Sequence, residues 1–270
     1  MRFAPSSGNT LFASPNLDQA EGLRRIFAKH RAVILPVLAP GGQQGGLVAN
    51  LAMALTLSGR EVLIVDTARG EVPQAMGLRA RYELADVVSG DKRLQEVVLS
   101  PLNGLRIVPA ARALAQASDI SQWVSALVSE LTPHPDVVIV HLHTPLAGME
   151  GDVLIAASPI AETVTRTYAA LKRMQTKSSR IRLVVCGTAA EQGARNLHRA
   201  LNEATQRFIG AAIEWAGFIP QDEEMSRAHA SARPVFDLDT QAPSALALMN
   251  LAARVDSWSL ASVSPSRIVY

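Results

Sequence analysis

Apolar residues run without a break from Ala32 to Leu38, and shorter runs of the same kind recur at 61–66, 104–109, 136–141, 152–157 and 181–186, with a last short one near 216–219. Strands that are apolar on every residue are buried on both faces, as in a parallel sheet covered by helices. Between these runs the apolar spacing changes to three and four residues, which predicts helices over 47–58, 83–88, 120–131, 161–174, 192–210 and 244–258. Gly59 stops the first of them. Strand and helix alternate along the chain, so the pattern predicts one α/β domain with a doubly wound, mostly parallel sheet flanked by helices.

The front of the chain reads differently. Residues 1–15 are rich in Ser, Pro, Gly and Asn and show no periodicity, and are read as a flexible lead. From 16 to 30, Leu17, Ala20, Leu23 and Phe27 recur at helical spacing behind Asn16, a good N-cap. Asp18 and Glu21 fall early and Arg24, Arg25 and Lys29 late, the order that complements a helix dipole. This is an amphipathic helix placed before the main domain, which spans 31–258. Residues 259–270 read as a loose tail.

Composition narrows the picture. Hydrophobic residues make up 48% and aromatic residues only 4%, so Ala, Leu and Val carry the core. The net charge of +2 excludes a strong whole-protein field for nucleic acid, and no direct nucleic-acid partner is expected. Arg166, Lys172, Arg173, Lys177, Arg180 and Arg182 form a basic stretch with no acidic residue among them; it is read as a solvated face, with an acidic-partner patch as the sharper alternative. Cys186 stands alone and excludes an intramolecular disulfide. No signal peptide and no apolar run of about 18 residues is seen, so a cytoplasmic protein is expected.

Candidate chemistry centres on the loop after the first strand, where Gly41, Gly42, Gln43, Gln44, Gly45 and Gly46 precede a helix. Such a loop lies at the carboxyl end of the sheet, where backbone amides and a helix N-terminus favour phosphate. A working P-loop adds a Lys for the terminal phosphates and a Ser or Thr for magnesium. Here no Lys lies between Lys29 and Lys92, and no Ser or Thr between Ser14 and Thr56. Three readings stay open: a tight turn without ligand, weak anion or nucleotide binding by backbone amides alone, and normal ATP hydrolysis. His141 and His143 alternate on a strand and share a side, a spacing open to a transition metal, but no third ligand is evident and no metal site is assigned.

With these residues in place, the chain resembles the MinD/ParA family of deviant P-loop ATPases over roughly residues 16–255. Asn50-Leu51-Ala52 matches the family's Asn-Leu-Ala after the loop. The second strand ends in Asp66, matching the first Asp of the family's Asp-x-Asp motif, whereas Ala68 stands for the second. The family's Asp-Thr-Pro strand end reads His141-Leu142-His143-Thr144-Pro145, and the strand that in relatives ends in a base-reading Asn ends in Val185-Cys186-Gly187. Within the family the chain resembles the FlhG/FleN group. Asp18-Gln19-Ala20-Glu21-Gly22-Leu23-Arg24 reproduces its Asp-Gln-Ala-x-x-Leu-Arg motif. Thr165 to Lys172 resembles its Thr-x-x-Tyr-Ala-x-x-Lys segment, and Gly217 to Asp222 its Gly-x-Ile-Pro-x-Asp turn.

The resemblance implies a P-loop NTPase-like fold and a regulator of flagellar number and placement. The front helix would bind and stimulate an FlhF-type signal-recognition-particle GTPase: Gln19 would orient the attacking water, Asp18 and Arg24 would make polar contacts, and Ala20 and Leu23 would pack. A flagellar transcription activator and flagellar switch proteins are further partners it implies. Because the catalytic positions are changed, with Asp66 as their remnant, a largely non-hydrolysing scaffold is expected. It would need no cofactor, associate weakly or not at all with membrane, and not depend on an ATP-driven homodimer. The alternatives are an atypical ATPase that binds ATP or ADP with magnesium, and an adaptor in cellulose synthesis or partitioning.

Overall fold

The computed structural model describes residues 31–41, 44–113, 120–146, 151–174 and 179–263. Residues from Arg31 onward form one compact unit. Among the described residues nine strands make a single sheet: β1 (Ala32–Leu38), β2 (Val62–Asp66), β3 (Leu99–Leu102), β4 (Leu105–Pro109), β5 (Val137–Leu142), β6 (Gly151–Ala157), β7 (Ser179–Thr188), β8 (Ile213–Pro220) and β9 (Ala261–Val263). Their order is β3-β4-β2-β5-β1-β6-β7-β8, with β9 attached to β1. Only β3 against β4 and β9 against β1 run antiparallel.

The central strands are covered on both sides, which is why they are apolar at nearly every position, with Asp66, Arg106 and His141 as buried exceptions. Along β1, Ile34 and Leu38 enter one hydrophobic cluster while Leu35 and Val37 enter the other. The first cluster is closed by α3 (Leu84–Val88), α4 (Leu94–Val97), α5 (Ile120–Glu130), α6 (Ala161–Arg173) and α7 (Glu191–Ile209). The second is closed by α1 (Gly45–Leu57), α2 (Glu71–Ala75), α8 (Glu223–Ser231) and α9 (Pro243–Val255). α1 lies against α9 and is buried nearly all round, at Val48, Ala49, Leu51, Ala52, Met53, Ala54 and Leu55. A helix that is apolar nearly all round belongs inside a fold rather than on its surface.

The sheet and its main helices agree with the pattern of apolar runs. Two strands do not follow from it. β3 is four residues long and holds Pro101, which an edge strand tolerates because one side of its backbone has no ladder partner. β9 corrects the expectation of a loose tail at 259–263. Ala261–Val263 pairs with Ala32–Ile34, and the Ser259 carbonyl accepts from the Asp152 N–H. Gly151, at φ +79, lets this segment come close: a Cβ there would lie 2.5 Å from the Ser259 carbonyl oxygen. No helix of the described residues is long and apolar enough to cross a membrane.

Candidate functional site

β2 and β5 are parallel neighbours, and their register sets Asp66 opposite His141. In both strands the residues two places earlier, Ile64 and Ile139, face the α1 side of the sheet. Strand alternation therefore turns Asp66 and His141 to that same side. Both are fully buried. His141 Nδ1 lies 3.0 Å from Asp66 Oδ1. The same carboxylate accepts from the Ala68 N–H at 3.0 Å and the Val72 N–H at 3.1 Å. Asp66 thus ties down the loop that follows its own strand. That loop turns through two residues of positive φ, Arg69 (55°) and Gly70 (82°), and delivers Glu71 as the first residue of α2.

Glu71 comes back over the strand ends and meets both histidines. Its Oε1 is 3.1 Å from His143 Nε2 and its Oε2 is 4.0 Å from His141 Nε2. The Glu71 carboxylate raises the pKa of His143 above the ordinary imidazole value, with partial burial working against it. The two rings stand edge to face, 5.5 Å apart. His141 Nε2 is buried and has no hydrogen-bond partner. A third metal-competent side chain therefore does stand beside the histidine pair, which corrects the reading that none was at hand. It comes from a loop whose path the sequence spacing does not reveal.

The glycine loop packs directly on this cluster. A Cβ on Gly45 would fall 2.4 Å from the backbone of Glu71, so only glycine lets α1 begin there. A Cβ on Gly41 would lie 2.7 Å from the Thr163 side chain. Gln44 is the N-cap of α1 but makes no side-chain cap, and its Oε1 is buried without a partner. Gly46 has open space where a side chain would be, and its carbonyl accepts from Asn50 Nδ2. Asn50 Oδ1 accepts from the Val235 N–H at 2.8 Å, so this matched residue pins a distant turn to α1.

Of the predicted site residues, the structure brings Asp66, Gly41, Gln44, Gly45 and Gly46 to one edge of the sheet. Gly42 and Gln43, and Asp18, Gln19, Ala20, Leu23 and Arg24 of the front helix, lie outside the described residues. The basic stretch is not a single solvated face. Arg182 turns inward, 2.7 Å from the buried Asp152, and stacks over Trp258. Arg166 pairs with Glu162 one helical turn away. Burial pushes the Cys186 thiol up to about 12, which leaves it protonated and poorly nucleophilic at neutral pH.

A mostly parallel sheet in this strand order, with a glycine loop feeding a buried helix, defines a P-loop NTPase fold of the MinD/ParA type. The structure aligns with MinD from Pyrococcus horikoshii in complex with Mg-ADP at a TM-score of 0.59 and 19% identity, covering 83% of this chain and 96% of that one. It aligns with a ParA-family ATPase from Chlorobium tepidum at 0.59 and 21%, covering 83% and 98%. No protein-family model matches the sequence. The antiactivator FleN of Pseudomonas aeruginosa is 30% identical over 244 residues, 83% of this chain and 87% of FleN. The chain belongs to the FleN family within the MinD/ParA group.

Proposed function

We propose that the chain is a FleN-like regulator of flagellar number and placement, acting as a largely non-hydrolysing scaffold whose front helix, through Asp18, Gln19, Ala20, Leu23 and Arg24, binds and stimulates an FlhF-type GTPase. The observation that carries the scaffold reading is the donor set at the edge of β2 and β5. The described loop residues offer no lysine and no hydroxyl. Asp66 already accepts two backbone N–H groups and faces His141. The neighbouring strand end presents two imidazoles, His141 and His143, against the Glu71 carboxylate, and imidazole is a poor ligand for a hard, oxygen-seeking magnesium ion. These residues fit magnesium-bound nucleotide poorly. The likeness to an antiactivator favours restraint of a transcription activator as the second role. For the front helix, the support is the Asp-Gln-Ala-x-x-Leu-Arg motif and its chemistry, since GTP hydrolysis needs a positioned water more than a covalent catalyst, and a Gln side chain can orient one.

Two measurements test this. Calorimetry of ATP and ADP with magnesium, alongside an ATPase assay, is expected to show no turnover and at most weak binding; tight binding with turnover would favour the atypical ATPase instead. The full chain is expected to stimulate GTP hydrolysis by an FlhF-type GTPase, and Gln19→Ala to remove that stimulation. Stimulation that survives Gln19→Ala would refute the role of the front helix.

A further inference from the structure

We propose that His141 Nε2, His143 Nε2 and the Glu71 carboxylate form a binding site for a first-row transition-metal dication of the zinc class. Imidazole and carboxylate suit zinc, cobalt and nickel, and two imidazoles disfavour magnesium. The three ligand atoms lie within 4.8 Å of one another. In a tetrahedral zinc site with bonds of about 2.1 Å, neighbouring ligand atoms sit roughly 3.4 Å apart. The His143–Glu71 edge, at 3.1 Å, already meets that spacing. The His141–Glu71 edge is 4.0 Å, about 0.6 Å longer than that spacing, so binding would draw Glu71 slightly toward His141.

The buried histidine carries the stronger argument. Asp66 accepts two backbone N–H bonds and faces His141 Nδ1 at 3.0 Å. A carboxylate in that role accepts a hydrogen bond from Nδ1–H, the tautomer that leaves the lone pair on Nε2. That Nε2 is buried, has no hydrogen-bond partner and points at Glu71. A carboxylate behind the far nitrogen of a metal-ligating histidine is the usual way a protein sets ring tautomer and orientation. Asp66 also holds the Val72 N–H, next to Glu71, so one carboxylate orients two of the three ligands. It is a positioning residue. Three protein ligands leave coordination positions open, as in zinc sites that exchange ligands rather than in closed structural ones.

The test uses the full chain, free of any histidine tag and stripped of metal, with no nucleotide present, so that its result is separate from the nucleotide question. Zinc calorimetry is expected to give one ion per chain, and cobalt to give a visible spectrum of nitrogen and oxygen ligation. His143→Ala and Glu71→Ala sit on part-exposed residues, so they should keep the fold while weakening binding by at least about tenfold, and Asp66→Asn should weaken it by about 10–100-fold. His229→Ala, at a histidine outside the cluster, should leave it unchanged. Absence of zinc binding to wild type, or binding that the His143→Ala, Glu71→Ala double variant retains, would overturn the site and leave the cluster a histidine–glutamate ion pair.

Discussion

Two aspartates in this sheet are fully buried, and they sit at opposite ends of its parallel strands. Asp152, near the start of β6, is closed on every side. One oxygen faces Arg182 Nε at 2.7 Å, the other accepts from the Ser259 N–H, and Arg182 continues to Glu214 at 2.7 Å. Asp66, at the end of β2, is equally satisfied, but its partner His141 carries an unpaired nitrogen toward the α1 side. The same residue type, equally deep, is a closed strut at one end and the base of an open chemical group at the other. A buried polar atom without a partner costs free energy; Arg106 Nη1, at the start of β4, is another such atom, but it belongs to a side chain already paired with Glu61, whereas His141 Nε2 stands beside two further metal-competent side chains.

The comparison breaks most sharply at the strut. Arg182→Ala leaves the Asp152 charge buried with only a backbone N–H, and removing one partner of a buried ion pair costs about 3–5 kcal/mol. A urea unfolding curve should show that loss, together with release of the segment around Ser259. A midpoint close to wild type would mean that Asp152 is not a closed pair.

At the open end, adding a ligand should stabilise. If zinc binds only the folded chain, zinc at about 100 times its Kd raises the unfolding free energy by about 2.7 kcal/mol, and a chelator reverses it. Arg182→Ala should lower the baseline without changing this increment, because the two ends share no side chain. Asp66→Asn comes next in size. The amide cannot accept both backbone N–H groups, so one buried donor is left unsatisfied at about 1–3 kcal/mol, measured by urea unfolding in chelator.

The strut and the open site were unequally legible in the sequence. Continuous apolar runs could be read as buried parallel strands because burial on both faces removes polar alternation. The glycine loop, Asp66 and the histidine pair were visible by position. Glu71 was not: it reaches the histidines through a loop turned by Arg69 and Gly70 and tied by Asp66, and nothing in residue spacing shows that return. Arg182 was misread for the related reason that its partner Asp152 lies on the neighbouring strand, 30 residues away. β9 escaped because a three-residue strand carries no periodicity.

The smallest effect on stability is the most discriminating. His143 is 37% exposed and its Nε2 meets Glu71, itself part-exposed, so in metal-free protein the contact is screened by water. His143→Ala should therefore cost well under about 1 kcal/mol, the range of exposed pairs. Yet the same change should cut the zinc-dependent rise in unfolding free energy from about 2.7 to about 1.4 kcal/mol or less at the same zinc concentration, because it removes a ligand from a set of three. A residue that matters little to the apo fold and decides the response to metal is what a binding group looks like; a strut shows the reverse. If His143→Ala destabilised the chelated protein as much as Asp66→Asn does, the histidine would belong with Arg182 as a structural element, and the two ends of the sheet would no longer differ in kind.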